Sequence, residues 1–151
     1  MSHELSIERV IDAPVAAVWR AWTEHTEEWF CPRPWTVEVG AQELRAGGRS
    51  EMVMRGPDGE ENALAGVYLE VVPERLIVST DAVTADWQPA EPFMVRIDRF
   101  EDLGDGRTRY TAIARHWTAA AMESHAAMGF EAGWNAATDQ LVEVAMRLAG
   151  E

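Results

Sequence analysis

The sequence predicts an α+β fold: a curved antiparallel sheet of about seven strands, two short helices after the first strand, and a long C-terminal helix packed across the concave face. Three observations carry this. In the last third, taking Phe130 as origin, Trp134, Ala137, Leu141, Val144 and Leu148 fall on one face at helical spacing. From Trp35 to Phe100 the apolar period is two and turn residues are dense. The order of segments is strand, two short helices, about six strands and a helix, which is a layered α+β arrangement.

Leu5 to Ile11 alternates as a strand. Asp12-Ala13-Pro14 opens a helix, because proline near the first helical position loses no needed hydrogen bond, and Val15, Val18, Trp19 and Trp22 give it an apolar face. A second helical turn spans Thr26 to Phe30, and Cys31-Pro32-Arg33-Pro34 is extended or turned. Val37 and Val39 open a strand that ends at Ala46-Gly47-Gly48, and Ser50 to Arg55 puts Met52 and Met54 on one side of the next. Gly56-Pro57-Asp58-Gly59 is a tight turn. Further strands are Leu64 to Val72, Leu76 to Asp81, Phe93 to Arg99 and Thr108 to Trp117, the last pair joined across Gly104-Asp105-Gly106.

The closing segment, Thr118 to Ala149, reads as one helix of 32 residues, about 48 Å long. His125, Asn135, Asp139 and Glu143 fall on its solvent side. Gly129, Gly133 and Ala137 repeat every four residues, which predicts close approach by a neighbour to offset the cost of glycine in a helix.

Composition narrows the function. A chain of 151 residues, 47% apolar, builds the core of one domain, and no linker or repeat divides it. All 13 basic residues are arginine against 26 acidic ones, for a net charge of −13. Such a surface repels phosphate backbones and anionic lipid, which argues against nucleic acid and membrane insertion. One cysteine excludes an internal disulfide, and the absence of an early apolar run or an 18-residue apolar stretch points to a cytoplasmic protein.

Several ordered segments carry a family resemblance. They are Ala13-Pro14-x-x-x-Val18-Trp19, Trp29-Phe30-x-Pro32, Arg45-x-Gly47-Gly48, Met54-x-Gly56-Pro57-Asp58-Gly59, Gly66-x-x-x-Glu70-Val71-x-Pro73 and Gly129-Phe130-x-x-Gly133-Trp134. Together the chain resembles the family related to the C-terminal domain of the Hsp90 ATPase activator, within the START-like, Bet v 1-like helix-grip superfamily. The resemblance implies a seven-stranded sheet gripping the C-terminal helix, an internal cavity between the short helices and the sheet rim, and a role in the stress response. Many relatives have a second tryptophan where this chain has Phe30. The larger eukaryotic activators also carry an N-terminal chaperone-engaging domain, for which this length leaves no room.

The candidate ligand-binding residues are Trp29, Phe30, Trp35, Met52, Met54, Trp87, His116, Phe130 and Trp134. Trp29, Phe30 and Trp35 crowd the proline segment, Met52 and Met54 offer a soft patch on the sheet, and Phe130 and Trp134 head the helix stripe. Trp87, in the irregular loop Thr84 to Pro92, is either an exposed singleton or a lid. Strand parity sends either Arg115 or His116 inward, and Val95 and Ile97 make Arg96 solvent-facing. The four histidines lack ligand spacing, Cys31 pairs with nothing, and no nucleotide loop or nucleophile elbow is present, so no metal, cofactor or catalytic residue is assigned.

Three readings remain. The first is a binding module for an apolar, lipid-like or amphipathic small molecule. The second is a co-chaperone with an Hsp90-type partner. The third is a cavity enzyme of cyclase, dehydratase or hydrolase type. A carrier predicts a dry pocket with isolated polar anchors, a co-chaperone an exposed patch away from the pocket mouth, and an enzyme an inward acid–base pair with perturbed pKa. Oligomeric state is left open.

Overall fold

The computed structural model describes residues 3–151. It opens with β1 (His3–Ile11), followed by α1 (Val15–Glu24) and α2 (Thr26–Trp29). Five strands succeed one another: β2 (Thr36–Gln42), β3 (Arg49–Arg55), β4 (Glu61–Val72), β5 (Leu76–Thr80) and β6 (Val95–Asp102). Strand β7 (Thr108–His116) then leads to α3 (Ala119–Ala127) and α4 (Phe130–Ala149). The strands form one antiparallel sheet in the order β1-β7-β6-β5-β4-β3-β2. Consecutive hairpins account for β2 to β7, and β1 closes the far edge by pairing with β7 from His3↔His116 to Ile11↔Thr108. Register shifts between Val39 and Ala41 in β2, and between Tyr68 and Glu70 in β4, add local twist that bends the sheet.

Glycine permits the tightest approach along β4. A Cβ on Gly66 would lie 2.1 Å from the carbonyl oxygen of Thr80, so no other residue fits without moving strand β5.

The core joins Ile7 and Ile11 of β1, Val18, Ala21 and Trp22 of α1, Phe100 and Tyr110 of the sheet, and Leu141, Val144 and Leu148 of α4. The α4 stripe read from the sequence is therefore the packed face. Helix α4 packs against α1, α2 and β1. Gln140 fixes the α2 end to it with every group of its amide. Nε2 donates to the carbonyls of Trp29 at 3.0 Å and Cys31 at 2.7 Å, and Oε1 accepts from the Arg33 N–H at 3.0 Å.

Three expectations about the C-terminal segment are corrected. The single 32-residue helix is two helices, broken at Met128 and Gly129, where Gly129 adopts φ 95°. Thr118 caps α3 by accepting from the Ala121 N–H at 3.0 Å. His125, expected in water, is buried, because the break turns α3 so that this side chain faces the sheet. The glycine repeat does not mark a close neighbour either: a Cβ on Gly129 or Gly133 would meet nothing within 4 Å. Gly129 serves the left-handed break, and Gly133 leaves open space.

Candidate functional site

Where the N-terminal half of α4 stands off β3, β4 and β5, a cavity of about 630 Å³ opens. Its walls are mainly apolar: Trp29 and Phe30 at the end of α2, Met52 and Met54 of β3, and Phe130 and Trp134 of α4 share it. Volume and lining both fall in the range of small-molecule sites. Gly133 and Ala137 also line it, so the small residues of α4 define its roof.

Arg96 enters this apolar space from β6. This corrects the solvent-facing expectation, since the Arg96 side chain is 13% exposed and its cation stands inside the concave face. Its Cζ lies 4.4 Å from the Trp134 ring centre, 5.2 Å from Phe30 and 6.0 Å from Trp29, within cation–π range of all three. Asp98, fully buried two residues on, holds it in a two-point ion pair, with Nε to Oδ2 at 3.0 Å and Nη2 to Oδ1 at 3.1 Å. Asp98 Oδ1 also accepts from Tyr110 Oη at 2.6 Å and Trp22 Nε1 at 3.4 Å. Burial alone would lower the Arg96 pKa, but Asp98 and Tyr110 outweigh it and hold the guanidinium above its ordinary range. Burial, then Asp98, push the Tyr110 phenol well up, so it stays a donor.

The pairing leaves one edge of the guanidinium unused. Nε and Nη2 are engaged, whereas Nη1 makes no hydrogen bond among the described residues. No fully buried side-chain nitrogen or oxygen there lacks a partner, so Nη1 is accessible from the cavity. A second polar patch lies where Thr26 donates to Gln42 at 3.2 Å, beside Ser50 and Tyr68. Burial raises the Tyr68 phenol, with Ser50 and Gln42 opposing.

At the opposite end, α3 brings His125 against His116 of β7, Nδ1 to Nε2 at 2.8 Å, and His116 Nδ1 reaches the His3 carbonyl at 2.9 Å. Rings of Phe93, Phe130 and Trp134 surround His125 at 4.7, 5.2 and 5.9 Å between centres. Burial, with His116 and Arg96 adding to it, lowers the His125 pKa to about 4.

Six of the nine candidates named from sequence line the cavity: Trp29, Phe30, Met52, Met54, Phe130 and Trp134. Of the parity alternatives, His116 is the inward one and Arg115 is exposed, pairing with Glu4. His116 sits behind His125 and does not itself line the space. Trp35 follows the turn after α2 and is not in the lining. Trp87 is 66% exposed, and its ring edge lies over Gly47, outside the cavity. Thr84, Ala90 and Glu91 of the same loop do line the cavity, whereas Trp87 is not among the lining residues. Arg96, Tyr68, Phe93 and His125 are lining residues the sequence reading missed. The available signal was the i, i+2 pattern Arg96, Asp98, Phe100, in which two opposite charges share a face with an aromatic residue.

Cys31 is buried, and burial pushes its thiol up to about 11, away from nucleophilic use. Among the described residues no helix is long and apolar enough to cross a membrane.

Comparison with known proteins gives the same architecture. A crystal structure of a Nitrosomonas europaea protein superposes with a TM-score of 0.91 at 34% identity, covering 98% of this chain and 97% of that one. A solution structure of an Arthrobacter aurescens protein gives 0.82 at 25% identity, over 95% and 86% of the two chains. A Mycobacterium smegmatis crystal structure gives 0.77 at 26%, over 93% and 89%. No curated protein matches the chain. The family model described as Activator of Hsp90 ATPase homolog 1-like protein matches residues 12–146, and with the 34% identical neighbour it shows that this chain belongs to that family.

Proposed function

We propose that this protein binds an apolar or amphipathic small molecule in the space between α4 and the sheet. The observation that carries this is an arginine with a free donor edge standing in a mainly apolar cavity of about 630 Å³. An apolar body gains contact with Phe30, Phe130, Trp134 and the two methionines, and an oxygen on it finds Arg96 Nη1. Burying about 200 Å² of apolar ligand surface contributes roughly 5 kcal/mol before the cost of association.

The ionisable groups around the cavity suit holding better than bond breaking. Asp98 is fully buried and its oxygens are engaged by Arg96, Tyr110 and Trp22. His125 has a pKa of about 4, which makes it a weak proton acceptor at neutral pH. A chaperone partner is the second reading, favoured by the family description, which names the Hsp90 ATPase. It calls for a patch away from the cavity, and the exposed large apolar residues include Val10, Leu69 and Trp117.

The test is titration with anilinonaphthalene sulfonate and a small panel of fatty acids, read by tryptophan quenching, beside native mass spectrometry of protein from its own host. Saturable binding that is weakened in a folded Phe130→Asp variant supports the carrier. A folded parent that takes up no probe and retains no ligand would overturn it, and stimulation of an Hsp90-type ATPase by that protein would support the second reading.

A further inference from the structure

The two histidines fix each other's tautomers, and the consequence reaches the cavity. A backbone carbonyl only accepts, so His116 Nδ1, 2.9 Å from the His3 oxygen, carries the hydrogen. In neutral His116 the other nitrogen, Nε2, is then a lone pair. It faces His125 Nδ1 at 2.8 Å, so that nitrogen is the donor of the contact. Neutral His125 therefore keeps its own lone pair on Nε2. This atom has no hydrogen bond among the described residues, and since no fully buried side-chain nitrogen lacks a partner, it is open to the cavity that His125 lines. Phe93, Phe130 and Trp134 pack around the imidazole, and the nearby charge is the Arg96 cation, so protonation is disfavoured and the acceptor persists at neutral pH.

The cavity thus has a donor edge and an acceptor atom, both beside Trp134. Arg96 Cζ is 4.4 Å from the Trp134 ring centre and His125's ring centre is 5.9 Å from it, so the two groups are within about 10 Å of each other. One small molecule can meet both. The Asp98 pairing orients the guanidinium and leaves its Nη1 edge free, so Arg96 selects for an oxygen placed there and favours a carboxylate, which makes the stronger, charge-assisted bond.

We propose, on the reading of this cavity as a small-molecule site, that its ligand is a hydroxylated amphipathic acid, whose carboxylate accepts a charge-assisted hydrogen bond from Arg96 Nη1 and whose hydroxyl donates to His125 Nε2. His116 is a positioning residue: it holds the acceptor toward the cavity without touching the ligand. A ligand bearing an amide N–H or a hydroxyl at that end is accepted, and one presenting a second carboxylate or carbonyl there is rejected, because two lone pairs then face each other.

The probes are phenylpropionate, the ortho, meta and para isomers of hydroxyphenylpropionate, and neutral phenylpropionamide, titrated by calorimetry into the full chain. At least one hydroxylated isomer is expected to bind about 3- to 10-fold more tightly than phenylpropionate, the gain of one hydrogen bond. That gain disappears in His125→Phe, which keeps a ring but no acceptor, so the hydroxylated isomers then bind no more tightly than phenylpropionate. It shrinks in His116→Phe. Long-range proton–nitrogen spectra of the parent at neutral pH report the tautomers without any ligand, and are expected to find Nδ1 protonated on both rings and His125 Nε2 bare. A protonated His125 Nε2 overturns the proposal, as does phenylpropionate binding that no hydroxyl position improves or that phenylpropionamide matches. In those cases the cavity still binds an apolar acid, and the broader reading stands. Loss of all binding, including anilinonaphthalene sulfonate, removes both.

Discussion

Asp98 is the residue on which the site's interior depends. It takes hydrogen bonds from Arg96, Tyr110 and Trp22 with no exposed surface, so its removal leaves a cation among aromatic rings without its counter-charge. Asp98→Ala is expected to lower stability by about 3–5 kcal/mol, measured by urea unfolding. The double replacement Arg96→Met with Asp98→Leu should recover much of that loss, because packed apolar side chains need no partner. An Asp98→Ala variant as stable as the parent would show that the ion pair contributes nothing. His125 gives a pH dependence with a definite sign. Its folded pKa of about 4 lies below the ordinary 6.5, so the unfolded chain binds the extra proton first. Stability from this residue is present above pH 6.5 and is lost as pH falls toward 4, by roughly 3 kcal/mol in all. His125→Phe should flatten that part of the stability profile, and an unchanged acid limb would place the effect elsewhere.

At the scale of elements, the glycine before α4 and the one inside it have opposite duties. Gly129 has φ 95° at the break between α3 and α4, so Gly129→Ala is expected to cost about 1–2 kcal/mol. Gly133 is inside α4 with nothing near its absent Cβ, so Gly133→Ala should stabilise by about 1 kcal/mol. Thermal melts of the two variants should therefore move in opposite directions. Sequence periodicity located both residues but could not tell a break from a lining position, since the apolar stripe runs in phase through Phe130 and the next turns of α4. Strand assignment succeeded for a related reason: alternation and turn residues are local signals, and β3 to β7 are joined by hairpin connections. The face of β6 was misjudged. Alternation predicts Val95 and Ile97 on the inner face, yet Ile97 and Ile113 pair and are buried on the side opposite Arg96 and Asp98. The concave side admits Arg96 and Asp98 because it borders a cavity and offers each of them a partner. Pattern alone assigns apolar to inside, and beside a cavity with buried partners for charged groups that rule gives way.

For the whole molecule, family membership fixes the architecture, and the site has to be argued from its own residues. Aromatic and methionine positions far apart in sequence, Trp29 and Phe30, Met52 and Met54, Phe130 and Trp134, meet around one space. Trp35 and Trp87 do not, since loop geometry is set by contacts such as Trp87 over Gly47 that composition does not encode. The central claim is that this space receives a small molecule, and Gly133 allows it to be filled without emptying any packed position. The decisive measurement compares anilinonaphthalene sulfonate affinity in the parent, Gly133→Ala and Gly133→Leu, with melts to show that each is folded. Near-parent affinity is expected for the alanine variant and at least a 10-fold loss for the leucine variant, about 1.4 kcal/mol. A folded Gly133→Leu protein that binds the dye as tightly as the parent would contradict the claim.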